Sequence, residues 1–109
     1  MGKSNAVYRL ISNIPSGKVA TYGQIGSILK IHPRQVGRIL HLNSDPKSIP
    51  CHRVVNFKGE VARNYAFGGG DAQRKKLEEE GIIFVGNKVE LQKYKWEDAV
   101  SPKGDPSGQ

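Results

Sequence analysis

One short run, Pro50-Cys51-His52-Arg53, holds the residue types best able to do chemistry. Cys51 is the single cysteine of the chain, so it forms no internal disulfide; its thiol is free to react or to pack as a small hydrophobe. The thiolate is the nucleophile, and an ordinary thiol with a pKa of about 8.5 is only slightly ionised at neutral pH. An adjacent imidazole such as His52 can take the proton, directly or through a water, and Arg53 favours negative charge nearby. Neighbours in a strand point to opposite faces, so Pro50 or a local turn must bring Cys51 and His52 together. A metal site is a poor fit, because adjacent Cys and His chelate badly and no second cysteine completes a zinc set. On these residues alone, a reactive and an inert cysteine stand equally open.

The elements that must position this run can be read from the apolar spacing. Ala6, Val7, Leu10, Ile11 and Ile14 line one face of a helix over residues 5–13, ended by Pro15-Ser16-Gly17. Residues 18–21 are extended, and Thr21 caps a helix from Tyr22 to about Leu29. After Lys30-Ile31-His32 a further helix starts at Pro33, turning Val36, Ile39 and Leu40 inward and Arg34, Gln35, Arg38 and His41 outward. Two short helices joined by a tight turn, the second basic at its start, predict a helix-turn-helix. Residues 43–50 form a loop, and residues 51–55 are extended or irregular. A turn at 56–59 and a loop to Gly70 follow, then a polar helix capped by Asp71 and running through Glu80 to Gly81. Residues 82–85 and 88–91 pair as a β-hairpin around Gly86-Asn87.

The whole is expected to be one α/β domain, mostly helical: a winged-helix-like helix-turn-helix with a small β-hairpin over residues 1–96. Residues 97–109, rich in Pro, Gly and Ser, read as a flexible tail or linker. The 109 residues suffice for one domain. No apolar run is long enough to span a membrane, and no signal-peptide core opens the chain, so the cytoplasm is the expected compartment. Seventeen Lys and Arg against ten Asp and Glu give a formal charge of +7. Such a surface suits a polyanion, nucleic acid above all.

Ile49-Pro50-Cys51-His52-Arg53-Val54 resembles the active-site signature of the O6-alkylguanine-DNA alkyltransferases. The likeness extends through Ile14-Pro15-Ser16-Gly17-Lys18-Val19-Ala20-Thr21-Tyr22-Gly23-Gln24-Ile25 and Arg34-Gln35-Val36-Gly37-Arg38-Ile39-Leu40. It continues with Asn43, Tyr65, Gly69-Gly70 and Leu77-Glu78-Glu79-Glu80-Gly81, so it covers residues 5 to about 96. The resemblance implies direct DNA repair: irreversible transfer of an alkyl group from guanine O6 to Cys51, once per molecule, with no cofactor. It implies that His52 activates Cys51 through a water, that Glu80 orients His52, and that Asn43 braces the turn before the active-site strand. Tyr65 would hydrogen-bond the flipped guanine and stabilise the leaving purine. Arg34 would enter the base stack as a finger, Tyr22 would lie beside the target phosphate, and Gln35, Arg38 and Arg53 would meet DNA. The expected partner is double-stranded DNA containing O6-alkylguanine, met in the minor groove by a monomer. Extrusion of the nucleotide follows from chemistry, because the alkylated oxygen lies inside the paired duplex.

Two features depart from that pattern. Ala66 stands where transferases often have serine, and Phe67 interrupts the usual Tyr-Ser-Gly-Gly spacing. The chain also resembles the short alkyltransferase-like proteins in its Lys-Leu-Glu-Glu-Glu-Gly run and its Tyr94-Lys95-Trp96 ending. Those proteins lack the cysteine, bind alkylated guanine without repairing it and recruit other repair proteins. The alternative reading is therefore a lesion sensor with Cys51 vestigial. The tail is open to two readings, a linker to a fused second repair domain and a free end; a sequence-specific regulator explains the helix pair but not the Pro-Cys-His-Arg run.

Overall fold

A computed structural model describes residues 2–63 and 65–97. The helices are α1 (Lys3–Ile11), α2 (Tyr22–Leu29), α3 (Pro33–His41), α4 (Gly69–Glu79) and α5 (Leu91–Tyr94); the strands are β1 (Ala20–Thr21), β2 (Val54–Val55), β3 (Phe84–Val85) and β4 (Lys88–Val89). A single 3₁₀ turn, Cys51–Arg53, precedes β2. The expected class holds: mostly helical, with a helix-turn-helix and a small hairpin. Of the expected tail, residues 98–109 lie outside the described residues, as does Asn64.

Thr21 fixes the start of α2 by a reciprocal pair of bonds. Its hydroxyl accepts the Gln24 N–H at 3.0 Å, and Gln24 Oε1 accepts the Thr21 N–H at 3.3 Å. The helix ends at Lys30, a non-glycine residue at φ 61°. Gly26 lets the two helices close on each other, because a Cβ there would lie 2.5 Å from the Ile31 carbonyl oxygen. Helix α3 opens with Pro33 in its first turn and His32 as its cap, the His32 Nδ1 accepting the Arg34 N–H at 3.0 Å. Val7, Ile11, Ile25, Val36 and Leu40 bury the three-helix face in one cluster that also takes in Cys51 and Tyr65. A smaller cluster of Val19, Val55, Leu77, Ile82 and Val89 seats α4 and the hairpin.

A two-residue parallel pairing, Ala20 with Val54 and Thr21 with Val55, ties the helix-turn-helix to the Cys51 segment. Several boundaries differ from expectation, the hairpin's first strand among them, which is only Phe84–Val85. The first helix runs over 3–11 rather than 5–13, its last residues turning into 3₁₀-type bonds at Asn13 and Ile14. Helix α4 begins at Gly69, with Gly68 at φ 119° as its leading residue, so Asp71 sits inside the first turn and does not cap it. There its carboxylate still suits the positive end of the helix dipole. The hairpin's second strand stops at Val89, and Leu91 opens α5, a short helix the alternating pattern hid.

Candidate functional site

Pro50, at ψ 69°, turns the chain into the 3₁₀ turn that places Cys51 and His52. Both are buried. The expected local turn is therefore present, but it does not bond the two side chains to each other. The Cys51 Sγ instead accepts a hydrogen bond from Asn43 Nδ2 at 3.3 Å. The same amide nitrogen donates to the Ile49 carbonyl at 3.0 Å, and Asn43 Oδ1 accepts the Asp45 N–H at 2.9 Å. Asn43 thus links the end of α3, the loop and the thiol.

His52 Nε2 meets Glu80 Oε2 at 2.8 Å. Its Nδ1 is buried and has no hydrogen-bond partner among the described residues. Burial lowers the His52 pKa below the ordinary 6.5, against an upward pull from Glu80, so the ring is neutral and can accept a proton at neutral pH. Burial pushes the Glu80 carboxyl up, but hydrogen bonds from Arg53 and His52 outweigh it and leave Glu80 below its usual range.

The Arg53 side chain turns toward Glu80 and the chain just past the end of the first helix. Its Nε and Nη2 donate to the two Glu80 oxygens at 2.9 and 2.7 Å, and Nη1 donates to the Ile14 carbonyl at 2.7 Å. With its donors committed inward, Arg53 is a brace for Glu80. The paired geometry of guanidinium and carboxylate fixes the Glu80 carboxylate against His52.

A cavity of about 360 Å³ lies against Cys51, walled by Tyr22, Gly37, Leu40, His41, Tyr65 and Ala66. Burial, with the Cys51 sulfur second, pushes the Tyr22 hydroxyl up to about 12, so Tyr22 remains a neutral donor. Burial likewise raises Tyr65, and a hydrogen bond from Lys76 draws it back. The Tyr65 and Phe67 rings meet edge to face, with centroids 5.7 Å apart. Phe67, out of pattern in sequence, is thus a packing partner of the cavity wall. Arg34 and Arg38 are exposed on α3 and Gln35 is half-buried; none of them lines the Cys51 cavity. Among the described residues no three His, Cys, Asp or Glu side chains gather as a metal site would require.

Two residues that matter here escaped sequence reasoning. Gln73, buried in α4, donates through Nε2 to the His52 and Val54 carbonyls, both at 2.9 Å, and accepts the Ala62 N–H at 2.7 Å. Its signal was available: it stands four residues before the inward Leu77, a polar side chain on the apolar face. Lys76, whose Nζ lies 3.0 Å from the Tyr65 hydroxyl, carried no such signal.

Residues 3–82 match the family described as 6-O-methylguanine DNA methyltransferase, DNA binding domain. The chain belongs to that family. Within it, the chain is 35% identical over 98 residues to Alkyltransferase-like protein 1 of Schizosaccharomyces pombe, covering 83% of this chain and 90% of that one. It is 39% identical over 82 residues to a methylated-DNA–protein-cysteine methyltransferase of Methanopyrus kandleri, covering 75% of this chain and 60% of that protein. Among solved structures, S. pombe Atl1 in complex with damaged DNA containing O6-carboxymethylguanine superposes with a TM-score of 0.78 at 31% identity, over 89% of this chain and 99% of that chain. Family members thus include both transferases and alkyltransferase-like proteins. No helix among the described residues is long and apolar enough to cross a membrane.

Proposed function

We propose that this protein binds DNA carrying O6-alkylguanine, receives the extruded base in the Cys51 cavity and transfers the alkyl group to Cys51. The observation that carries the reading is a free thiol lining a cavity of nucleobase scale, with a neutral, Glu80-anchored imidazole next in sequence. The thiol proton passes through a water to His52 Nδ1, the nitrogen left without a protein partner. The sulfur then attacks the alkyl carbon; the S–C bond forms, the C–O6 bond breaks, and the electron pair stays on the purine. Tyr65 hydrogen-bonds the developing purine anion, which takes up a proton to leave unmodified guanine. The proton gained by His52 returns to solvent. The thioether has no route back, so each chain acts once. Arg34, exposed at the start of α3, fills the space of the extruded base from the minor groove. Basic residues of α3 hold the DNA backbone.

A second reading is favoured by one specific observation: the likeness to S. pombe Atl1 spans nearly the whole of both chains, whereas it covers only part of the methyltransferase. In that reading the cavity holds the alkylated base and Cys51 does not react, and the complex marks the lesion for other repair proteins.

Intact-protein mass after incubation with duplex DNA bearing one O6-methylguanine separates the two. Transfer adds one methylene unit to the wild type and nothing to Cys51→Ser, while the variant still binds the lesion. Tight, lesion-selective binding with unchanged wild-type mass replaces the enzyme by the sensor.

A further inference from the structure

A second concavity of about 470 Å³ lies beside the Cys51 cavity, lined by Tyr22, His32, Pro33, Arg34 and Phe57 among others. Three features set it apart. Its lining holds no acidic residue and is largely apolar. Tyr22 and Gly37 line both concavities, so the two share one wall. And Phe57, 76% exposed, stands at its rim.

An exposed aromatic ring on a loose loop would mean little. The turn that carries Phe57 is not loose. Asn56 Oδ1 accepts the N–H groups of Lys58 and Glu60, each at 2.9 Å, and Asn56 Nδ2 donates to Glu60 Oε1 at 3.1 Å. The Gly59 N–H donates to the Asn56 carbonyl at 2.9 Å, and the Gly59 carbonyl accepts the Val89 N–H at 2.8 Å. Gly59 is at φ 87° and a Cβ there would run into the Val89 backbone, so the turn sits tightly against β4. A large apolar ring is therefore held toward water by a rigid frame, which costs solvation free energy unless something covers it.

We infer that this groove receives the nucleotide next to the extruded one on the same strand, with Phe57 packed against its base. The inference rests on the proposed entry of an alkylated base into the Cys51 cavity. A base drawn into that cavity stays covalently joined to its neighbours, and the strand leaving the cavity must cross the wall shared by Tyr22 and Gly37. The groove lies directly beyond that wall. Deoxyribose and base faces are the apolar parts of DNA, and Lys58, its Nζ lying 5.7 Å from the Phe57 ring centroid, supplies positive charge for the connecting phosphate. Stacking on an aromatic side chain tolerates any base, as a protein serving lesions in every sequence context needs.

The test uses the whole chain and duplexes with O6-methylguanine flanked on one side or the other by 2-aminopurine in the same strand. Phe57→Ala is expected to lower lesion-duplex affinity about tenfold. It should also change the 2-aminopurine fluorescence of the complex at one flank only, while Phe57→Trp keeps wild-type behaviour. The salt dependence of binding stays the same, because no phosphate contact is removed. Exposure of Phe57 makes the fold insensitive to its loss, which thermal unfolding verifies. A wild type that does not distinguish lesion from undamaged duplex overturns the base-entry reading itself. A wild type that does, with Phe57→Ala unchanged in affinity and flank fluorescence, overturns the groove assignment alone.

Discussion

The Lys76 ammonium donates a hydrogen bond to the Tyr65 hydroxyl oxygen at 3.0 Å, from a position 5.4 Å from the centre of the same ring. An ammonium has donors only, so Tyr65 is the acceptor in this bond and its own O–H is left to point elsewhere. The Cys51 cavity is where the Tyr65 side chain is exposed to a ligand. Lys76→Met, which keeps the stem and removes the charge, is expected to raise the Tyr65 pKa further and slow single-turnover transfer about tenfold. In a Tyr65→Phe background the same substitution should have no further effect on the rate. A full tenfold loss there would show that Lys76 acts some other way.

The His52–Glu80 pair sets a pH dependence with a definite sign. Burial holds the His52 pKa below 6.5, and Glu80 sits below its ordinary value. The unfolded chain therefore binds more protons than the folded one as pH falls below about 6.5, and stability drops through that range. His52 contributes first and Glu80 at lower pH; above about 6.5 neither contributes a slope. Chemical denaturation between pH 3 and 8 should show this profile, with its upper part flattened in His52→Gln.

Transfer follows the same group. The rate should rise with pH through the lowered His52 pKa and be level at neutral pH. Glu80→Gln removes an upward pull on His52, moving the acid limb to lower pH and reducing the plateau, because a weaker base takes the thiol proton less well. An unshifted limb would take Glu80 out of the relay.

Gln73, itself buried, binds three backbone groups. Gln73→Leu leaves the His52 and Val54 carbonyls and the Ala62 N–H unpaired, at about 1–3 kcal/mol for each group. A fall in Tm of about 10 °C or more is expected for a domain of this size. A shift of only a degree or two would mean that water replaces the amide.

Arg34 is predicted to act in duplex DNA and not on the chemistry. Arg34→Ala should slow repair of a lesion in duplex far more than reaction with a free O6-alkylguanine base. Equal losses on both substrates would remove it from base extrusion.

The helix-turn-helix was legible because its determinants are local: Thr21 and Gln24 three residues apart, Pro33 at a helix start, apolar residues at helical spacing. Cys51 and His52 stood out by residue type and adjacency, but only the resemblance joined Glu80, Asn43 and Tyr65 to them, since those contacts link residues far apart in sequence. Arg53 has a partner that neither spacing nor resemblance announced. A basic residue next to a nucleophile predicts an anion contact, but nothing local says that Glu80, 27 positions on, will occupy both ends of its guanidinium. Helix α5 was hidden for a different reason: a four-residue helix is too short to leave a periodic signature.

Gln24 makes a third bond beyond the two of its helix cap, its Nε2 donating to the Trp96 carbonyl at 2.6 Å. Around it, the Trp96 N–H donates to the Val19 carbonyl at 2.7 Å and the Val19 N–H to the Tyr94 carbonyl at 2.9 Å. The start of the helix-turn-helix is therefore finished by a residue more than seventy positions later. During synthesis, the ribosome must release residue 96 before this corner can close. Helices α1, α2 and α3 are made before that segment yet wait, incompletely tied, for it, and folding on the ribosome is pushed toward a late, concerted step.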